Sequence, residues 1–418
     1  MDGIWGRNPM NLTKKRWIIL GASCLINLCI GSLYAWSVFA TPMAKYLTSI
    51  TRSEITSLSI IFTIANSVGP VTMITGGFIN DKLGPKWVIL VGGVLFGLGM
   101  LLSGFATSMR MLMVTYGLGV GLGVGMVYGC TVSNSVKWFP DKRGFAGGIA
   151  TASYGMSSIA IPPLASLLIS NMDVTAAFKL LGGVMLVIIC FSAFFIKTCP
   201  KDYVPDGYVP PMSTQAARVG KNWKEMLKDP IFYVMIIMMC CGAFTGLMII
   251  SQASPLAQRM IGMTAMEAAT AVSVLALFNT IGRITAGFAS DKLGTVTTIK
   301  IVFVISAISL MTLYFSGVGM PVLFYVGLCG VGLAFGSIMG IYPGFTAAQF
   351  GGKNNSVNYG IIFIGFAMAG YFGPSIMTKL YTATGRDQTS FAVATALSLF
   401  GFILAFVYNK VRIKEEIL

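Results

Sequence analysis

Arg283 stands in the run Asn279-Thr-Ile-Gly-Arg283-Ile-Thr-Ala-Gly-Phe-Ala-Ser-Asp291, and no other charge falls within that run before Asp291. The surrounding residues read as a helix inside a bilayer. An arginine at such a helix centre costs on the order of 2.5 to 3.5 kcal/mol and faces a cavity or a partner. Its planar fork of N–H donors matches a carboxylate two bonds at a time. Asn279 precedes it by one helical turn, shares its face and offers a further hydrogen bond. Three uses of the charge compete. From about 12 Å inside the helix end at Asp291 the side chain could snorkel to the headgroups. A structural ion pair needs an acid at similar depth, and none of the 14 Asp and Glu residues falls mid-span. The third use, favoured by this pattern, is capture of a small organic anion.

Little else in the chain could do chemistry. There is no histidine, which removes the commonest general base and the commonest metal ligand. The eight cysteines lie in apolar stretches, apart from Cys199 at a span's end, with neither disulfide nor metal spacing. No nucleophile stands beside a base. The run GLGVGLGVG beginning at Gly117 sits mid-span with no strand before it, so it is not a nucleotide-binding turn. The expectation is no enzyme, no cofactor and no metal.

The elements that position Arg283 follow from hydropathy. Hydrophobic residues make up 55% of the chain and charged residues 10%, with a mean hydropathy of +0.79. Runs of about 20 apolar residues predict an all-α polytopic membrane protein. Its twelve spans fall near 17–41, 53–79, 86–106, 110–136, 144–170, 175–197, 230–256, 265–289, 297–317, 321–348, 355–381 and 389–409. The first is too long, and too closely followed by others, for a cleaved signal. The net charge of +15 is topological: with both termini cytoplasmic, inward segments hold about three times as many Lys and Arg as outward ones. That places the chain in the plasma (inner) membrane and gives no reason to expect nucleic acid.

The chain also repeats itself. Ala40-Thr-Pro42 recurs as Ala253-Ser-Pro255, and Gly77-Phe-Ile-Asn-Asp81-Lys-Leu-Gly84 recurs as Gly287-Phe-Ala-Ser-Asp291-Lys-Leu-Gly294. Gly121, Gly125 and Gly129 return as Gly332, Gly336 and Gly340. Two six-helix bundles, 1–197 and 230–418, therefore flank a polar cytoplasmic loop at 198–229 that carries Pro205, Pro210 and Pro211. Parallel repeats of six spans suit a transporter whose site lies between the halves near the midplane. In that alignment Arg283 falls opposite Pro70, so the cation belongs to one half alone.

Gly77-x3-Asp81-Lys82-x-Gly84-x-Lys86 resembles the loop 2-3 signature of the major facilitator superfamily, and the copy departs from it at Val296 where the last basic residue would stand. Gly31-Ser-Leu-Tyr34-Ala-Trp36, Lys137-Trp-Phe-Pro-Asp-Lys-Arg143-Gly, Asn279-x3-Arg283 and Asn358-Tyr-Gly360 resemble more narrowly the oxalate/formate antiporter family and its monocarboxylate relatives. The resemblance implies a major facilitator fold with Arg283 binding substrate and Tyr34 and Tyr128 closing over it. Phe335 and Phe363 stand where the family's oxalate carriers have tryptophans, and Met339 where they have a tyrosine. Tyr154 is a further candidate. Asp81, Lys82, Arg143, Asp291 and Lys292 are expected to form a gate between the halves, because charges at helix ends can bridge an interface that opens and recloses.

One departure bears on the substrate. Oxalate carriers of the family have a lysine where this chain has Phe366. Burying a second carboxylate without a partner costs several kcal/mol. The expected substrate is therefore a monocarboxylate such as formate, acetate, lactate or pyruvate. An oxalate/formate-type dicarboxylate antiporter is the alternative, and an anion-sensing membrane receptor is a rival of another class. Anion exchange and proton symport both stay open, with symport marginally preferred for a lactate- or pyruvate-like substrate. The partners expected are the carboxylate, with or without a proton, and the lipid bilayer, for a protein acting as a monomer.

Overall fold

The structure is a computed structural model that describes residues 9–52, 54–55, 58–200, 203–209 and 220–417. Pro210 and Pro211 lie outside the described residues. Among the described residues, twelve helices are long and apolar enough to cross a membrane. They are α1 Leu12–Thr51, α2 Ile60–Leu83, α3 Pro85–Ser103, α4 Met109–Trp138, α5 Arg143–Asn171, α6 Val174–Ala193, α7 Pro230–Ile261, α8 Glu267–Leu293, α9 Thr295–Tyr314, α10 Pro321–Phe350, α11 Asn355–Thr384 and α12 Gln388–Arg412. Six of them, α1–α6, precede the 198–229 segment and six, α7–α12, follow it, giving the chain a first and a second half.

Helix α1 runs ten residues past the expected end. Pro42 lies inside it without ending it, because the following turn is held by buried Met43 and Leu47; the helix stops only at Arg52, in a left-handed conformation. Within α1 the stretch Gly31–Ala35, which contains Tyr34, tightens to a 3-10 helix. Gly31 lies against the Tyr154 carbonyl of α5, an approach that leaves no room for a Cβ. Helix α11 is likewise interrupted at Phe363, between Asn355–Ile362 and Ile364–Thr384. Such breaks inside a span mark hinges and sites. Helix α8 starts from a capping box: the Thr264 amide donates to Glu267 at 2.8 Å and the Glu267 amide donates to the Thr264 hydroxyl at 3.3 Å.

The glycine ladders let the helix backbones touch. Gly117, Gly121, Gly125 and Gly129 of α4 face Ile64, Ala65, Gly69 and Met73 of α2. The second-half ladder does the same against α8, with Gly336 against Asn279 and Gly340 against Arg283. The repeat therefore supplies a cradle that fixes the backbone of the very turn carrying the cation.

The halves pack against each other through α5 on α8 and α10, and through α11 on α2 and α4. These two contacts are copies of one another under the repeat. Gly144 and Gly148 of α5 meet Gly287 and Arg283 of α8, while Gly77 of α2 meets Ser356 of α11. All of these contacts lie between the level of Arg283 and the Gly-Asp-Lys loops. The seam is closed on the loop side, whereas Tyr34, near the middle of α1, remains 37% exposed.

A methyl group at Gly336 would fall on the Asn279 carbonyl, and overpacking of this kind costs about 1–3 kcal/mol. Gly336→Ala is therefore expected to lower the melting temperature of the detergent-solubilised protein. Gly21→Ala, with nothing within 4 Å of the added carbon, is expected to leave it unchanged.

Candidate functional site

Helix α8 carries Arg283 to the seam between the halves with its side chain 6% exposed. Nη1 donates to the backbone carbonyl of Thr151 on α5 at 2.7 Å, across the seam. Nε donates to Asn279 Oδ1 at 3.2 Å, so the shared helix face inferred from their spacing is realised as a bond. None of the ion pairs among the described residues includes Arg283. The guanidinium turns into the protein and away from lipid. Gly155 of α5 makes room for it: a Cβ there would lie 3.4 Å from Nε and 3.5 Å from Cζ.

A chain of rings starts beside this group. Tyr34 meets Tyr154 edge-on at 5.7 Å, and Tyr154 meets Tyr128 at 5.0 Å. Tyr128 meets Phe363 at 6.0 Å, Phe363 stacks on Phe366 at 4.5 Å, and Phe366 stacks on Phe335 at 6.4 Å. The hydroxyls of Tyr34, Tyr128 and Tyr154 lie in the field of Arg283. Tyrosines from the first half and phenylalanines from the second thus form one continuous run of ring contacts across the seam, with the cation beside its tyrosine end. Met339 is buried in α10 and has no hydrogen-bonding group stronger than a thioether to offer.

Sequence reasoning passed over two contributors. The Thr151 carbonyl is backbone, so no side-chain pattern could reveal it. Tyr359 stood inside the quoted Asn-Tyr-Gly motif, yet the motif gave no sign that its hydroxyl lies in the same field.

The gate residues divide. Asp291 of α8 accepts from the Gly144 amide at 2.8 Å and the Phe145 amide at 2.7 Å, and so caps the first turn of α5 in the other half. Asp81 of α2 accepts from the Val357 amide at 3.1 Å at the start of α11. Each carboxylate of the repeated loop thus sits on the positive end of a helix from the opposite half. Asp81 also pairs with Lys137 at 2.7 Å, and Lys137 reaches the Lys353 carbonyl at 3.2 Å. Arg143 donates to the Ala347 carbonyl of α10 at 3.2 Å. Lys82 and Lys292 are exposed and have no carboxylate partner among the described residues; the lysine that reaches across the seam here is Lys137. Between these charges runs a neutral seam: Asn355 Nδ2 donates to the Ser133 hydroxyl at 3.2 Å, and the Ser356 and Ser133 hydroxyls are 2.9 Å apart. Asn358 donates to the Lys221 carbonyl at 3.0 Å, and Trp223 packs edge-on against Phe78 at 6.0 Å, so the connecting segment leans on both halves.

Cys199, outside the spans, is no reactive thiol. Burial pushes it up to about 12, and its S–H meets the Lys137 carbonyl at 3.3 Å. No cluster of three or more His, Cys, Asp or Glu residues suited to a metal occurs among the described residues.

The profile of the Major Facilitator Superfamily matches residues 22–374. The chain belongs to that superfamily. Members of this superfamily are transporters, and the chain is similar over most of its length to several. It is 28% identical to the MFS-type transporter YhjX of Escherichia coli (strain K12), over 86% of this chain and 87% of the relative. It is 29% identical to the oxalate:formate antiporter of Oxalobacter formigenes, over 94% and 91%. It is 23% identical to human monocarboxylate transporter 12, over 96% and 80%. Among solved structures, the transporter FucP in the outward conformation superposes with a TM-score of 0.74 at 16% identity, covering 94% of this chain and 99% of that one.

The two helix-capping carboxylates generate a prediction. A charge at a helix N-terminus is worth about 0.3–1 kcal/mol, so Asp81→Asn and Asp291→Asn should each raise the population open on the loop side by about two- to fivefold, and the double variant by more. Spin labels at exposed Lys142 and Lys292, in a background without other reactive cysteines, report it as growth of the longer distance.

Proposed function

We propose that this superfamily transporter carries a small monocarboxylate, such as formate, acetate, lactate or pyruvate, by alternating access, with Arg283 as the anion anchor. One observation carries the reading: a buried guanidinium at the seam between the halves, with tyrosine hydroxyls in its field and without a carboxylate partner among the described residues. Hydrogen bonds to Asn279 and the Thr151 carbonyl orient it without neutralising it. An anion that supplies the missing charge gains a charge-assisted, bidentate contact. The oxalate and formate in one relative's name, and the monocarboxylate in another's, support a substrate of this class.

The organisation goes with the reading: bundles 1–197 and 230–418 rock about the site, the 198–229 segment joins them on the cytoplasmic side with both termini, and a monomer suffices in the plasma membrane. Candidate roles follow the geometry. Arg283 and Asn279 hold the carboxylate end, Tyr34, Tyr128 and Tyr154 close the first-half wall, and Phe335, Met339, Phe363 and Phe366 form an apolar floor.

Anion exchange is the coupling mode favoured by one further observation. In the empty, loop-side-closed arrangement Arg283 is bonded across the seam to Thr151. Releasing that bond with nothing to replace it leaves an unpaired charge in a dry interface, which costs several kcal/mol. A carboxylate already held on the free end of the fork keeps the charge paired when the Thr151 bond parts, so loaded reorientation is faster than empty.

Arg283→Gln is expected to abolish thermal shift and flux for formate, acetate, lactate and pyruvate alike; an unchanged profile would remove the anion anchor. Phe366→Lys should add measurable oxalate uptake, because a second cation then faces the second carboxylate, while wild type prefers the monocarboxylates. In proteoliposomes, uptake is expected to require an anion on the opposite side. Accumulation driven by a pH gradient alone would establish proton symport instead.

A further inference from the structure

Tyr359 belongs to the half of α11 that precedes the break at Phe363. It is 0% exposed, and its ring packs against Phe363 at 5.7 Å. Tyr128 packs on the same Phe363 ring at 6.0 Å and on Tyr154, the neighbour of the Gly155 that abuts Arg283, so the Tyr359 hydroxyl lies against that of Tyr128 on the side of the cation, yet finds no hydrogen-bond partner of ordinary geometry. Buried tyrosine hydroxyls ordinarily find one. An orphaned buried donor costs about 1–3 kcal/mol, and a phenylalanine of the same shape carries no such cost, as Phe363 beside it demonstrates.

The anion creates a matching need. A carboxylate has room for about four hydrogen bonds, and an arginine has five N–H donors. Here Nε and one Nη1 hydrogen are committed to Asn279 and Thr151. The end-on fork of Nη1 and Nη2 fills one lone pair on each carboxylate oxygen, and the remaining lone pairs require other donors. A second cation is absent, because Phe366 occupies the flanking position. A neutral O–H is what remains.

We propose that Tyr359 is a substrate-binding residue that donates its unpartnered hydroxyl to the carboxylate held by Arg283. This rests on the anion reading of the site, deepens it by one residue, and makes that hydroxyl a selector for carboxylates over neutral solutes of the same shape. The unsatisfied donor is the cost to the empty protein of having the bond ready for the loaded one.

Tyr359→Phe tests this because it removes the oxygen and keeps the ring. With acetate as the probe, the half-saturation concentration is expected to rise about 10- to 100-fold, the range for a hydrogen bond to a charged group. The ligand-free protein is expected to melt no lower than wild type, since an unpaired polar atom has been removed from an apolar site. That pairing of signs is the signature, because a structural hydroxyl would lower stability. Tyr116→Phe serves as the contrast: its hydroxyl already donates to the Leu33 carbonyl at 3.3 Å, so its loss should lower stability and leave acetate affinity unchanged. An acetate response in Tyr359→Phe within twofold of wild type, or a fall in the melting temperature of the empty variant, overturns the proposal. Arg283→Gln measured alongside separates the two levels. A silent Arg283→Gln with a normal Tyr359→Phe removes Tyr359 alone, whereas an Arg283→Gln that responds like wild type removes the anion reading and this proposal with it.

Discussion

Everything near the centre of this molecule is arranged around one charge that hydrocarbon does not tolerate. A guanidinium at that depth must be buried in protein or lose several kcal/mol, and the chain buries it against backbone. Gly340 lets α10 approach its carbonyl, Gly148 does the same from α5, and Gly155 clears space beside its nitrogens. The bonds it makes are to a neutral amide and a neutral carbonyl. Such partners orient a cation while leaving its charge unspent. An acid in the same position would have given a stable, inert pair.

The gate follows a different rule. Its carboxylates press on amide groups at the start of a helix in the opposite half, as Asp291 does on Gly144 and Phe145. These contacts are individually modest, Asp291 is open to water, and the hydroxyls of Ser133 and Ser356 between them are neutral. A seam built so costs little to open and closes to one register. A fully buried ion-pair lock would be a poor hinge, because separating the partners leaves both charges desolvated.

How much of this was legible in the sequence depends on whether the information is local. The twelve spans, the internal repeat and the depth of Arg283 follow from hydropathy and spacing, which act along the chain. The far end of α1 did not, because Pro42 reads as a stop and only the tertiary burial of Met43 and Leu47 keeps the helix going. The gate was half visible. Asp81 and Asp291 stand out by repetition, but their partners are backbone amides and Lys137, which no pattern of side chains identifies. Lys82 and Lys292 repeat just as faithfully and face solvent, so recurrence marks a place in the fold more reliably than a contact. Tyr359 sat in a quoted motif, and only the three-dimensional neighbourhood of its hydroxyl gives it anything to do.

The repeat separates what both halves must do from what one half does alone. Opening and reclosing demand matched surfaces, and the pairs α2 with α11 and α5 with α8 stay matched where the loops repeat, Gly77 answering Gly287 and Asp81 answering Asp291. The cation breaks that symmetry at one position, where the first half has Pro70. Two arginines facing each other across the seam would repel one another in a low dielectric and would be balanced only by a dianion. A single arginine can be balanced by one negative charge, and the phenylalanines of α10 and α11 then have no second charge to solvate. Symmetry along the loop-side seam and asymmetry at Arg283 are therefore one constraint seen twice under the proposed reading, since parts that move together must match in both halves while a single cation asks for a single negative charge.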